Sequence, residues 1–279
     1  MGMRISTNIG ALTAQRSLST TKASLDKAMA RLSSGSRINK SSDDAAGLAI
    51  SENLKAQIRG SKQASRNAQD GISMIQTAES GLGEIGNILV RLRELAIQSS
   101  SDTIGEKERS MVDIEFSQML SEIDRIAGST EFNGTPLLSG VGDMLDFQIG
   151  TRNSPDLDRL QLDGSAADAG TIALGISLTG AFDKLTSQES LGAIDNAINY
   201  VSAMRANFGA LQNRMSTTVD TIAVNIENMS SANSRVRDAD IAEESSELAK
   251  QNIMLQAGTS ILAQANQQPA LALSLLKQG

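Results

Sequence analysis

Two stretches at opposite ends of the chain carry apolar and small residues in alternating steps of three and four. The first runs Ala11, Ala14, Leu18, Thr21, Leu25, Ala28 and Leu32. The last places Ile241, Leu248, Leu255 and Leu262 at strict intervals of seven, with Ser245, Asn252, Thr259 and Asn266 at the companion positions. An α-helix turns once every ~3.6 residues, so this spacing keeps one narrow stripe facing one neighbour, as in a coiled-coil seam. Polar residues in such a stripe weaken a helix pair but specify its register and partner number. The same alternation also fits a face that borders water. Pro269 is expected to close the C-terminal helix, leaving the apolar tail LALSLL beyond it.

Between the ends lies a second layer. A long helical pattern extends from Asp43 to about Ser100 through Ile50, Leu54, Ile58, Ile72, Ile75, Leu82, Ile85, Leu89, Leu92 and Ala96. Thr103 and Glu106 have capping-box spacing ahead of a helix carrying Val112, Phe116, Met119, Ile123 and Ile126. Thr186 and Glu189 do the same before Leu191, Ile194, Val201, Phe208, Leu211, Met215, Ile222 and Met229. The three helices predict an antiparallel bundle. From Thr130 to Thr179 the pattern changes: Asn133-Gly134 and Pro136 are turn chemistry, and DFQIG, LDRLQLDG and TIALGISL alternate like strands, which predicts short β-hairpins at about 130–180.

The fold class is therefore mainly α: a long antiparallel bundle with short β-hairpins, plus a terminal coiled coil formed by the N- and C-terminal helices. The expected division is 1–33 (first half of the coiled-coil domain), 34–42 (linker), 43–186 and 187–229 (bundle), 230–240 (linker) and 241–279 (second half). The polar runs RLSSGSRINKSS and NMSSANSRVRDAD are the joints, and this nesting places the two ends together and the two joints side by side.

Composition narrows function. Without cysteine or histidine there is no disulfide framework, no thiolate metal site and none of the commonest metal ligand and general base. The formal charge of −7, with 25 basic and 32 acidic residues, opposes nucleic-acid binding, and one Tyr, five Phe and no Trp leave little to stack on bases. The core must be built from Ala, Leu, Ile, Val and Met. No apolar run is long enough for membrane insertion, and the start has no apolar block like a secretory signal, which by itself points to the cytoplasm.

Other motifs are weak. GLGEIG at Gly81, Gly83 and Gly86 matches a dinucleotide fingerprint, with Asp102 about twenty residues on, but helical spacing surrounds it and no strand precedes it; close helix contact explains the glycines better. Asp156 and Asp158 begin a calcium-loop spacing that Leu160 interrupts. Asp43 with Asp44, and Asp238 with Asp240, sit at predicted helix starts, where the helix dipole favours negative charge. Gly2 with Ser6 fits a myristoylation pattern, and Asn39, Asn133 and Asn228 open glycosylation triplets that arise often by chance.

Ordering the two ends costs more conformational entropy than their apolar residues return when paired only with each other, and outer faces of Ile, Leu and Met stay uncovered. The ends are thus expected to be loosely ordered alone and ordered by neighbouring copies.

Several long motifs, in order, carry a family resemblance. ISTNIGALTAQRSL, RLSSGSRINKSSDDAAGLAI, RELAIQ, EIDRIAGSTEFNGTPLLSG and QAGTSILAQANQQPALALSLL are similar to bacterial flagellin. Only residues 141–190 lack a clear match. The resemblance implies a structural protein without catalytic residue or cofactor, a helical homopolymer outside the cell that a rotary motor turns for swimming. It replaces the cytoplasmic expectation with export through the flagellar type III apparatus. In the family the terminal helices form an inner tube and the bundle a surrounding one. The polymerisation seams would then be Leu18, Leu25, Leu32, Ile241, Leu248, Leu255 and Leu262.

The resemblance also implies partners: an export chaperone on the C-terminal helix, the filament cap and hook-junction proteins, and the host Toll-like flagellin receptor. By motif, Arg91 and Leu95 in VRLRELA and Glu115 in DIEF match the receptor-recognition residues, although Val90 departs from the usual glutamine. Arg91 and Glu94 can equally serve subunit contacts. A hook-filament junction protein is the nearest rival; an NAD-binding enzyme and a membrane-active amphipathic protein are the others.

Overall fold

The computed structural model describes residues 8–141, 144–164 and 167–277, with 268–277 described by their backbone. Gly2 and Ser6 lie outside them. In chain order the elements are α1 (Ile9–Ser34), α2 (Ala45–Ser99), α3 (Glu106–Ser129), β1 (Glu131–Phe132), β2 (Thr135–Pro136), β3 (Met144–Gln148), the short α4 (Pro155–Asp158), β4 (Arg159–Asp163), α5 (Lys184–Arg237) and α6 (Ile241–Lys277). The chain forms two compact units, one of Gln57–Glu227 and one made from the chain up to Ala56 together with the chain from Asn228. The unit boundaries do not coincide with the polar joints; both joints lie within the second unit. Residues 230–237, expected as linker, continue α5. Their polar side chains are accommodated because Asn233 accepts from the Ser51 hydroxyl at 2.8 Å and Arg237 pairs with Glu52 at 2.6 Å.

In the Gln57–Glu227 unit, α2, α3 and α5 share one core. Ile75, Leu82, Ile85, Leu89 and Leu92 of α2 are buried with Phe116 and Ile123 of α3 and Ile194, Val201, Phe208 and Met215 of α5. The helices are antiparallel: Arg93 pairs with Asp195 at 2.7 Å, while Glu79, earlier on α2, lies 3.8 Å from Arg205, later on α5. Leucine, isoleucine and alanine fill the space that aromatics occupy in other cores, and this is possible because helix seams close at short range.

The two hairpins form. β1 and β2 are joined by Asn133 and Gly134, with φ of 51° and 78°, the left-handed pair that lets a two-residue turn follow the twist of its strands. β3 and β4 pair antiparallel from Met144↔Asp163 to Gln148↔Arg159. The alternating run TIALGISL, expected as a strand, forms turns instead. Here the run closes on itself, Leu174 N–H donating to the Gly170 carbonyl at 3.0 Å, Gly175 to Ile172 at 3.1 Å and Ile176 to Thr171 at 3.0 Å, while α3 holds the segment at Thr171 and again at Ala181, past the end of the run. Asp124 accepts from the Thr171 backbone N–H at 2.8 Å and its hydroxyl at 3.0 Å, and Asp113, three turns earlier on the same face, accepts from Ala181 N–H at 2.9 Å.

Both expected capping boxes are displaced. α3 begins after Gly105, which has no side chain to cap it, and Arg109 closes the preceding turn through the carbonyls of Ser99 and Ser101. α5 begins at Lys184, where the Asp183 carbonyl takes the first helical bond, so Thr186 is already inside the helix. Ile50 also faces outward, 54% exposed.

Glycines on α2 mark where the connecting segment crosses. A Cβ on Gly71 would come within 3.0 Å of both Met215 and the Phe147 ring, and one on Gly81 would reach Thr130 at 2.7 Å and Leu138 at 2.8 Å. Gly83 and Gly86 have open space instead, so of the GLGEIG glycines only Gly81 answers to a close contact, and that contact is with the chain leaving α3. The whole motif lies inside α2, without the strand-to-helix turn that a phosphate cradle needs.

Candidate assembly interface

α1 and α6 pack against each other in antiparallel sense. Near one end the Asn8 side-chain amide donates to the Ala265 carbonyl at 2.7 Å, and near the other Arg31 pairs with Glu244 at 2.9 Å. Between them Leu18 meets Gly258, where a Cβ would stand 3.2 Å from Leu18 Cγ. Along α1 the covered stripe is Ala11, Ala14, Leu18, Thr21, Leu25, Ala28 and Leu32, the seam expected from spacing.

On α6 the expected seam is half right. Leu248, Leu255 and Leu262 are half-buried, and so is the companion Asn252, but Ile241 is 54% exposed and Ser245, Thr259 and Asn266 face out. The companion stripe lies one residue earlier, at Glu244, Gln251, Gly258 and Ala265. Steps of three and four fix only the spacing of a stripe; at Gly258 and Ala265 the residue one place earlier is smaller than Thr259 and Asn266 and permits the closer approach to α1. Apolar side chains remain on the outer faces: Ile9, Leu12 and Met29 on α1, and Ile253, Met254 and Ile261 on α6, all more than half exposed.

Pro269 does not end α6, which continues to Lys277. Proline has no N–H to give the carbonyl four residues back, Ala265, and that is the carbonyl to which Asn8 donates.

The two joints lie side by side, as nesting required. Ser36 bridges Asp238, Arg37 N–H donates to the Arg237 carbonyl at 2.6 Å, and Ala239 N–H to the Gly35 carbonyl at 3.0 Å. Gly35, at φ 66°, turns the chain out of α1. The paired aspartates divide their work: Asp44 and Asp240 cap α2 and α6 by accepting from Gly47 and Ala242 N–H, each at 2.8 Å. Asp43 holds the first joint, accepting from Lys27 at 2.8 Å and from the N–H groups of Lys40 and Asn39. These partners, Lys27 first, lower its pKa to about 2.

A depressed carboxylate adds stability above its unfolded pKa and loses it as pH falls through the folded value, here between about 4 and 2. Lys27→Ala should move the Asp43 midpoint up toward 3.8, read by carboxyl-carbon NMR titration. An unmoved midpoint would mean the backbone donors hold the charge unaided.

In the other unit, Arg91 donates through Nε and Nη2 to Glu115 Oε1 at 3.1 and 2.8 Å and through Nη1 to Glu94 at 3.0 Å. Both partners keep their charges near half exposed at the surface of α2 and α3. These carboxylates raise the Arg91 pKa further, Glu115 most. Val90, Met111 and Ile114 are exposed neighbours in sequence. Leu95 is 1% exposed and belongs to the core; three residues after Leu92, it shares the buried stripe of α2 and presents no surface to a partner.

Two family models cover most of the chain: "Bacterial flagellin N-terminal helical region" over residues 5–143 and "Bacterial flagellin C-terminal helical region" over 191–276. The chain belongs to the bacterial flagellin family. It is 44% identical over 275 residues to a flagellin of Halalkalibacterium halodurans, covering 99% of this chain and all of that one. It is 42% identical over 291 residues to the flagellar filament 33 kDa core protein of Treponema phagedenis, again across 99% of this chain and all of the relative. Among solved structures, Bacillus cereus flagellin superposes with a TM-score of 0.50 at 32% identity, over 60% of this chain and 94% of that one. The unmatched stretch between the two flagellin regions holds β3, α4 and β4, a single short hairpin with one helical turn between its strands. Among the described residues no helix is long and apolar enough to cross a membrane.

Proposed function

We infer that this flagellin assembles through its terminal helix pair. The chain is a structural subunit of the bacterial flagellar filament, and α1 with α6 is the element that neighbouring copies complete. The observation that supports this is the row of apolar residues left on the outer faces of two helices whose inner faces are already spent on each other. A single pair cannot cover them; further copies can. On this reading residues 1–33 and 241–279 supply the inner layer, residues 43–229 the surrounding bundle, and the joints the spokes between. Full-length likeness to flagellins disfavours the hook-filament junction alternative.

The test is seeded growth: intact monomer mixed with sheared filament fragments, pelleted and viewed by electron microscopy. Elongated filaments are expected. A folded monomer that extends no seed would shift the assignment toward a junction protein.

Export through the flagellar type III apparatus, a chaperone on α6 before assembly, and contact with cap and hook-junction proteins belong to the same proposal. So does recognition by the host Toll-like flagellin receptor through Arg91 and Glu115, where the exposed ion pair offers both charges to an incoming surface. Arg91→Ala with Glu115→Ala is expected to lower the reporter-cell response to monomer at least roughly tenfold, as loss of two charged contacts implies. Stability should change by less than about 1 kcal/mol, since exposed pairs contribute little. An unchanged response would remove this surface from the proposal.

A further inference from the structure

The α1–α6 seam does not by itself say which register is right. Leu248, Leu255 and Leu262 recur every seven residues, and small residues recur every seven on the facing stripe, at Ala14, Thr21 and Ala28. Sliding one helix by seven residues puts the same leucines against the same kind of small residue. A seam with this repeat needs a polar device to choose among registers, because polar groups discriminate by leaving a partner unmet when they are misplaced.

The structure holds such a device at the end of the pair. The Ala265 carbonyl has no N–H four residues on, because that residue is Pro269. The Asn8 Nδ2 amide donates to it at 2.7 Å, while Asn8 Oδ1 accepts from Ala11 N–H at 3.0 Å and caps α1. One side chain thus closes two helix defects, the second on a residue 257 positions along the chain from it. At a slip of seven, Asn8 would meet the carbonyl of Gly258 or Ala272, each with its own donor four residues on, at Leu262 or Leu276. Ala265 would then be left unbonded. Arg31 with Glu244 marks the register again at the other end.

We propose that Asn8 and Pro269 form a register lock for the terminal helix pair: the proline opens one carbonyl on α6, and the asparagine that caps α1 fills it. This rests on the terminal pair being the assembly element, and its test separates the two. The chain has no cysteine, so an introduced pair is the only disulfide that can form. Leu18→Cys with Gly258→Cys reports the observed register, and Leu18→Cys with Gln251→Cys or Ala265→Cys reports a slip of seven. Each is oxidised in seeded filaments, and in dilute monomer as a second arm. Intramolecular bonds are scored by monomer mobility on a non-reducing gel.

In the parent the 18–258 bond should dominate. Asn8→Asp keeps the cap acceptor but turns an oxygen toward the Ala265 carbonyl; it should raise the slipped fraction roughly threefold to tenfold, the weight of one hydrogen bond. Pro269→Ala restores the N–H and should raise it too, although it favours helix. That second sign distinguishes a lock from simple helix stabilisation, which would sharpen the 18–258 bond. Slipped fractions in both variants equal to the parent, in filament and monomer alike, would overturn the lock. Failure of every variant and the parent to elongate seeds, with disulfide ratios still responding, would instead count against the assembly reading while upholding the lock.

Discussion

A chain lacking residues 1–34 will leave sheared filament seeds at their starting length. The deletion removes α1 and with it the cover over Leu248, Leu255 and Leu262. No residue of the bundle core lies in the deleted segment, so the far-ultraviolet helix signal should fall only by the contribution of α1 and α6, and the bundle should still melt cooperatively. Seeded pelleting beside circular dichroism checks both halves of the expectation. Elongation by the truncated chain would show that copies recognise one another elsewhere, and would remove the terminal pair from the mechanism.

Phe116→Ala is expected to lower the stability of the bundle by about 3–5 kcal/mol, the range for truncating a buried aromatic ring. Phe116 is fully buried where α3 meets the other two helices, and it is one of only five phenylalanines in the chain. Its neighbours are aliphatic residues already locked in helical seams, so the cavity has little means of closing. Against a total stability that for most domains is roughly 5–15 kcal/mol, such a loss should be plain in urea denaturation as a lower midpoint at unchanged slope. Phe116→Leu should cost under about 1.5 kcal/mol, because most of the volume returns. If alanine cost no more than leucine, the three-helix junction would be looser than its burial indicates. Leu95→Ala belongs with this series, since Leu95 is buried beside Leu92 and Ala96. A lost receptor response in that variant would follow from a weakened bundle.

The existence of the long helices, their antiparallel order and the side-by-side joints were legible because helical periodicity is local and repeats over many turns; their ends were not, since α5 runs on to Arg237 and α6 past Pro269. The α1 seam was legible to the residue. On α6 the same rule found Leu248, Leu255 and Leu262 but placed the companion stripe one residue late, since a run of Gly258 and Ala265 beside Thr259 and Asn266 offers two adjacent stripes of similar polarity. The capping boxes failed for a different reason. Thr103 and Thr186 have the right spacing, yet α3 begins only after Gly105, and α5 begins at Lys184 with the Asp183 carbonyl taking its first bond. Leu95 matched a surface motif in sequence and proved to be core, because its helix face is set by Leu92 and Ala96 on either side.

What the sequence determined alone is everything that depends on spacing: helical class, nesting, the turn at Asn133-Gly134, and membership of a family whose motifs span most of the chain. What only the tertiary structure decided is what depends on a partner far along the chain. TIALGISL became turns because Leu174, Gly175 and Ile176 N–H close on nearby carbonyls while Asp124 anchors Thr171, Gly71 is glycine because Met215 and Phe147 press on it, and Pro269 stays in a helix whose open carbonyl is met by Asn8. A hydrogen-bonding group is satisfied by whatever reaches it in space, and sequence spacing carries that information only when the partner is within a few turns.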